Sequence, residues 1–289
     1  MYIRSILSIF WRAVLLSIPA FATYTPGAIA QELITFDIPG AERTVALGIN
    51  DRGQIVGFYR EASYTPHGFL LDKGVFTTID GIPTYFPLLM GVNDCGQMVG
   101  YYGVGGTVFR GFLLDEGAFT TIDVPEAAST YAHGINTPGQ VVGQYADTTD
   151  TYHGFLLDKG TFTTIDVPGG TDTSAGGIND RGQIVGSYVD ATNTVHGFLL
   201  YQGTFTIIDV PEATRTSACG VNNPGQIVGS YRTLSTGTKE HGFLLDKGVF
   251  TTIDFPEATQ TYLYGINEQG QIAGHYMLDG KWHSLLVVP

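Results

Sequence analysis

Gly177-Ile178-Asn179-Asp180-Arg181-Gly182-Gln183-Ile184-Val185-Gly186 is one of six near-copies of a single phrase. Its leading glycine recurs at Gly48, Gly91, Gly134, Gly177, Gly220 and Gly265, at intervals of 43 residues four times and then 45. After a variable stretch, the copies run in outline through His-Gly-Phe-Leu-Leu, a turn containing Gly, and Phe-Thr-Thr-Ile-Asp ahead of a Pro. Self-similarity at a fixed period of about 20 to 50 residues marks a repeat architecture, so the fold must be read from one unit and its stacking.

Within the fourth unit, Thr173 to Asn179, Gln183 to Tyr188, His196 to Leu200 and Thr204 to Asp209 are short runs of strand character bounded by turn residues. No stretch after residue 30 has convincing helical periodicity. Four antiparallel strands in a unit of this length predict a propeller blade. The sixth unit ends at His283-Ser284-Leu285-Leu286 without its last strand, and the missing piece stands at the other end as Ile34-Thr35-Phe36-Asp37-Ile38-Pro39. A head that completes the tail's repeat predicts a ring, which also removes the exposed sheet edges of an open stack. The expectation is an all-β, six-bladed propeller of four-stranded antiparallel blades, spanning residues 31–289 as a single domain and closed by its N-terminal strand. An open solenoid is the alternative.

The Gly-Ile-Asn-x-x-Gly-Gln-Ile-Val-Gly and His-Gly-Phe motifs resemble those of the bacterial HAF-repeat family, extracellular repeat proteins named for a His-Ala-Phe tripeptide. The resemblance covers Glu32 to Pro289. Gly replaces the eponymous Ala in every His-initiated copy but the last, His283-Ser284-Leu285, and the second copy begins with Arg110. The family implies an exported repeat protein and transfers no general activity.

Residues 1–30 differ in kind from the rest. Arg4 and Arg12 precede a largely apolar run from Ala13 to Ala22, and small-x-small sites follow. This is the pattern of a secretory signal peptide. Cleavage after Ala30 would leave Gln31 first, and cleavage after Ala22 is the alternative. The apolar run is short for a membrane span and Pro19 interrupts it. A secreted or periplasmic protein with no membrane span in its mature chain is expected. With 14 basic against 27 acidic residues the formal charge is −13, and a surface this acidic repels phosphate backbones, so nucleic acid is not an expected partner. Cys95 and Cys219 fall in opposite units of a six-membered ring and are expected to be free thiols.

Asp37, Asp80, Asp123, Asp166, Asp209 and Asp254 end the last strands, Asn50 and its five counterparts begin the first turns, and His67, His153, His196, His241 and His283 recur in the third strands, the first four just ahead of its glycine and His283 ahead of Ser284. Because the units share them, they are read as structural hydrogen-bonding groups, with no metal and no cofactor. No paired His-x-x-x-His or Cys-x-x-Cys spacing is present. Nor is there a Gly-x-Ser-x-Gly elbow.

Function is expected on the face that varies. Asn to Gln is always four residues, whereas Tyr59 to His67 takes eight, Tyr231 to His241 ten and Tyr276 to His283 seven. Consecutive connections alternate between the two faces, so the variable loops share a face with the Pro-containing returns. Residues that break the repeat there are Tyr85, Phe86, Arg110, Tyr131, His133, Tyr262 and Tyr264. Aromatics with a few Arg and His suit stacking on a sugar or a protein surface. The favoured reading is a monomeric, non-catalytic module binding an extracellular glycan, peptide or envelope protein. The alternative is a polysaccharide lyase or hydrolase using Arg110, Tyr131, His133 and Tyr264 at the channel mouth.

Overall fold

The computed structural model describes residues 31–62, 65–79 and 85–289. Residues 1–30, where a leader is expected, and Asp80 lie outside the described residues, as do the side chains of Tyr85 and Phe86. The described chain is an all-β propeller of 24 strands. Ahead of the first complete repeat stands β1 (Glu32–Phe36). The first repeat is β2 (Arg43–Ile49), β3 (Ile55–Arg60), β4 (Pro66–Asp72) and β5 (Val75–Ile79). The second is β6 (Tyr85–Val92), β7 (Met98–Gly105), β8 (Val108–Asp115) and β9 (Ala118–Ile122), and the third β10 (Ser129–Ile135), β11 (Val141–Ala146), β12 (Tyr152–Asp158) and β13 (Thr161–Ile165). The fourth comprises β14 (Thr171–Ile178), β15 (Ile184–Val189), β16 (Val195–Tyr201) and β17 (Thr204–Ile208). The fifth comprises β18 (Ala213–Val221), β19 (Ile227–Thr233), β20 (His241–Asp246) and β21 (Val249–Ile253). The sixth has three strands of its own, β22 (Gln260–Ile266), β23 (Ile272–Leu278) and β24 (Lys281–Val288).

Its fourth strand comes from the head of the chain: β1 pairs antiparallel with β24, from Glu32 opposite Val288 to Phe36 opposite Ser284. Side chains repeat the match. Tyr59, Tyr102, Tyr145 and Tyr231 each share a hydrogen bond with a last-strand threonine, and Tyr276 makes the same bond to Thr35 at 3.0 Å. His283 Nδ1 likewise meets Asp37 at 2.6 Å, as His153, His196 and His241 meet the Asp that ends their own last strand.

Six separate four-stranded sheets are the sequence expectation, but hydrogen bonding gives four such sheets and one of eight strands. The larger sheet joins β14–β17 to β18–β21 through a single parallel bridge, Val195 with Arg215. At the corresponding positions the oxygens of Ser129 and Asp172 accept the N–H of Phe109 and Tyr152. An arginine side chain carries no acceptor, and at Arg215 the contact is made by the backbone.

The core lies between neighbouring repeats. Phe69, Phe112, Phe155, Phe198 and Phe243 of the third strands are fully buried, and Leu285 takes that place in the sixth repeat. On the side of the uniform turns, each asparagine does three things. Asn50 Oδ1 accepts from the N–H groups of Arg52 and Gln54, while its amide donates to Gln54 Oε1 and to the carbonyl of Asn93 in the next repeat. The inter-repeat bond runs on through Asn136, Asn179, Asn222 and Asn267, and Asn267 returns it to Asn50. Six buried amides thus close a ring on themselves, which accounts for the Asn-x-x-Gly-Gln motif as structure.

Candidate functional site

The first strand of every repeat bulges one residue before its glycine. The pairing skips Leu47, Met90, His133, Gly176, Cys219 and Tyr264. A bulge bends the strand and re-aims a side chain, and these six residues line a central cavity of about 340 Å³. The glycine that follows is where adjacent first strands meet backbone to backbone; a Cβ on Gly220 would stand 2.2 Å from the Tyr264 carbonyl oxygen.

Six β-branched residues, Ile49, Val92, Ile135, Ile178, Val221 and Ile266, line both this cavity and a smaller depression of about 90 Å³ on the asparagine side. The first strands enter from the Pro-containing returns and leave at the asparagine turns. Residues early in them, such as Arg215 and Tyr262, therefore lie towards the variable face, where the cavity has its mouth.

Repeat position decides the cavity's shape. Three residues before the repeat glycine stand Val45, Leu88, Tyr131, Ser174, Ser217 and Tyr262, and ten after it Phe58, Tyr101, Gln144, Ser187, Ser230 and His275. The fourth and fifth repeats are serine at both, and Ser174, Ser187, Ser217 and Ser230 all line the cavity. Small side chains on two adjacent repeats leave the room that Tyr262, Tyr264 and His275 fill on the sixth. Among the described residues none of the four hydroxyls is engaged by a protein partner.

The one arginine of the lining is Arg215, 44% exposed at its side chain, and no aspartate or glutamate lines the cavity. Its Nη1 is 3.8 Å from Glu240 Oε1, beyond hydrogen-bonding range, because that fully buried carboxylate is held by Arg232 Nη2 at 2.6 Å. Behind the wall, His275 stacks between Tyr262 and Tyr264 with centroids 5.2 and 5.3 Å away, and Trp282 meets it edge-on. Arg43 lies over Trp282 and Phe58.

Burial governs the titratable groups here. It lowers the His133 pKa against the opposing effect of the hydrogen bond from Nδ1 to the Ala175 carbonyl, and it raises the Tyr264 hydroxyl. Burial pushes the Cys219 thiol up to about 12, so this free cysteine is a thiol at neutral pH. His275 is brought down to about 3, by burial first and by the charge of Arg43 second.

The His275 shift carries a testable sign. Unfolded, the ring takes a proton near its usual 6.5; folded, only near 3. Between those values the unfolded state binds more protons, so this group costs stability as pH falls. His275→Phe installs the residue that the first repeat carries as Phe58. Relative to the parent it is expected to gain up to about 1.4 kcal/mol per pH unit below 6.5, read from denaturant midpoints at pH 7, 5.5 and 4.5. A pH-independent difference would show that His275 takes its proton in the folded chain as readily as in the unfolded one.

Of the residues that sequence reasoning selected, His133, Tyr262 and Tyr264 come together on the cavity wall. Tyr131 does not line it; it packs in a rim cluster with Tyr101, Phe109 and Tyr152 at centroid distances of 5.0, 5.3 and 6.2 Å. Arg110 is also elsewhere. Its Nε meets Asp123 at 2.8 Å and its Nη1 donates to the Phe109 and Ala128 carbonyls, the post that histidine holds in other repeats. Tyr85 and Phe86 sit in β6. The four groups required by the catalytic alternative are thus not gathered at one point. Sequence reasoning missed Arg215 and the four serines, whose signal lay in comparing columns across repeats for small residues as well as large ones. Among the described residues no three His, Cys, Asp or Glu side chains are grouped as metal ligands.

No protein-family model matches the chain, and no curated protein matches it. Solved structures do. TolB from Acinetobacter baumannii is similar with a TM-score of 0.56 at 13% identity over 81% of this chain, and the chain spans 63% of that protein's length. The SapL1 lectin, solved in complex with alpha methyl fucoside, is similar with a TM-score of 0.55 at 11% identity, over 82% of this chain and 90% of the lectin. AofleA from Arthrobotrys oligospora is similar with a TM-score of 0.50 at 13% identity, over 89% of each chain. At such identities the likeness shows the propeller fold. Among the described residues, no helix is long and apolar enough to cross a membrane.

Proposed function

We propose that this chain is an exported six-bladed propeller, the eight-stranded sheet counting as two blades, that binds an extracellular glycan without turning it over. The ligand enters from the variable face. The observation that carries this reading is the composition of the central cavity: the aromatic side chains of Tyr262 and Tyr264 from the sixth repeat, and four unengaged serine hydroxyls from the fourth and fifth. A sugar presents an apolar face and a rim of hydroxyls, and a pocket that joins aromatic surface to a few placed polar groups matches both. At about 340 Å³ the cavity is small, towards the lower end of the roughly 300–1,000 Å³ usual for ligand pockets. A short glycan or a chain end fits it better than a protein surface. The HAF-repeat resemblance and the signal-like leader support export as part of the same proposal. The likeness in fold to a lectin solved with alpha methyl fucoside supports the reading.

The test is a glycan array followed by calorimetry on repeat-swap variants. Tyr262→Ser and His133→Gly each install a residue found at the same position in the fourth repeat, Ser174 and Gly176, and are expected to leave the unfolding midpoint close to the parent's. Tyr262→Ser should weaken glycan binding at least tenfold, about 1.4 kcal/mol, with a smaller loss for His133→Gly. Arg181→Gln, in the uniform turns, should change nothing. An array that captures no glycan, or affinity that responds to Arg181→Gln and not to Tyr262→Ser, overturns the reading.

A further inference from the structure

We infer that the glycan carries a carboxylate, a uronic-acid type of sugar, and that Arg215 receives it. This rests on the proposed glycan-binding role of the same cavity and narrows it to one class of ligand.

The first observation is the charge of the lining. The chain carries 27 acidic against 14 basic residues, yet the cavity wall holds an arginine and no aspartate or glutamate. An acidic protein that keeps carboxylates out of one cavity and places a guanidinium there has a local potential opposite to its surface. The second observation is how Arg215 is held. The nearest carboxylate, Glu240, is fully buried and bound by Arg232 at 2.6 Å, with Arg215 at 3.8 Å. The three groups together carry one net positive charge, and Arg215 is the member that faces the cavity with donors to spare. A guanidinium presents a planar fork that pairs with a carboxylate through two parallel bonds, the geometry that makes such recognition strong.

The third observation is that one fixed cation is all the cavity offers. Burial keeps His133 from supplying a second charge, since it lowers that pKa from its usual 6.5. A carboxylate monoanion is balanced one to one by Arg215. A phosphate monoester, with close to two negative charges at neutral pH, would leave an unpaired charge in a partly dry site, which is costly. The serines complete the fit. Ser217 is two residues beyond Arg215 on β18, and Ser230 stands opposite it on β19, so a sugar whose carboxylate meets Arg215 has hydroxyl partners beside it. In the first repeat the equivalent arginine, Arg43, is instead engaged over Trp282 and Phe58 and is not part of the lining. Of the two arginines at this repeat position, only that of the fifth repeat lines the cavity.

The experiment is calorimetry with matched acid and neutral methyl glycosides and short oligosaccharides, glucuronide against glucoside and galacturonide against galactoside, with the 6-phosphates as a third arm. The acid of at least one pair is expected to bind at least tenfold more tightly than its neutral partner and more tightly than the phosphate, with affinity that falls as salt is raised. Arg215→Gln should bring the acid down to the level of the neutral sugar while leaving the neutral sugar's affinity and the unfolding midpoint unchanged. Equal or tighter binding of the neutral member in both pairs overturns the inference and leaves glycan binding standing. Preference for the phosphate overturns the carboxylate assignment. Binding of none of these ligands, together with a blank array, defeats the glycan reading itself and this inference with it.

Discussion

Removal of residues 32–40 is expected to abolish cooperative unfolding and most soluble yield. The segment is short, but it forms a complete outer strand. It leaves β24 without its partner, removes Thr35 from Tyr276 and Asp37 from His283, and takes Phe36 and Ile38 out of a core cluster that includes Ile49, Tyr59, Phe69 and Phe76 of the first repeat. Because this one strand pairs with the last repeat and packs on the first, its loss opens the ring at the joint. The bare edge that results invites intermolecular pairing. The contrasting deletion is 234–239, a loop in which Leu234 is 87% exposed and no residue is buried. It stops short of Glu240, which is fully buried against Arg232. Loop shortening there should cost little, since closure entropy varies slowly with length. Guanidinium denaturation monitored by tyrosine and tryptophan fluorescence separates the two cases: a single sharp transition for the loop deletion, a broad or absent one for the strand deletion. Equal tolerance would mean that the strand pairing of β1 with β24 is not what closes the fold.

The repeat made that closure legible from the residues alone. Phe-Thr-Thr-Ile-Asp and its displaced copy Ile34 to Asp37 are matched because the same contacts must be made six times, so a missing copy announces where its substitute lies. The structural roles of the shared polar residues were legible for the same reason: each Asn, His and Asp was read as a hydrogen-bonding group, and the ring of asparagine amides and the His-Asp pairs are those groups. Strand ends moved by only one or two residues, as in Thr171–Ile178 where Thr173 to Asn179 was expected. The joining of two units through Val195 and Arg215 could not be read, because it rests on a single backbone bridge that no residue type announces: Arg43 stands at the same repeat position without one.

The candidate site was half legible. Searching for residues that break the repeat finds what has been added, and His133, Tyr262 and Tyr264 are additions. A cavity is made equally by what has been taken away. Ser174, Gly176, Ser187, Ser217 and Ser230 attract no notice singly, and only their coincidence on adjacent repeats opens the wall. Arg110 is a different case. It departs from histidine, but it does histidine's work by holding Asp123, so a change of residue type was not a change of role. Arg215 carried the opposite lesson: the first repeat has arginine at the same position in Arg43, and the two have different surroundings.

Substitution of the repeat glycines by alanine should destabilise the ring in a graded order that the first-strand geometry sets. At Gly220 an added Cβ would stand 2.2 Å from the Tyr264 carbonyl oxygen, at Gly177 2.6 Å from that of Cys219, and at Gly91 2.8 Å from that of His133. At Gly134 the nearest atom is 3.1 Å away. In each case the obstacle is backbone of the neighbouring repeat, which cannot swing aside as a side chain can, and relief requires the two first strands to separate. Overpacking of this kind costs from about 1 to about 3 kcal/mol, so Gly220→Ala should lie at the top of that range and Gly134→Ala at the bottom. Denaturant midpoints at unchanged slope measure the series. The position also couples stability to binding, because the strand displaced by Gly220→Ala carries Tyr262 and Tyr264 on the cavity wall. On the proposed glycan-binding role, that variant should lose glycan affinity along with stability, whereas Gly134→Ala should keep most of both. Equal losses at Gly220 and Gly134 would show that the ring relaxes freely at its axis, and that the close approach of the first strands does not set the width of the cavity.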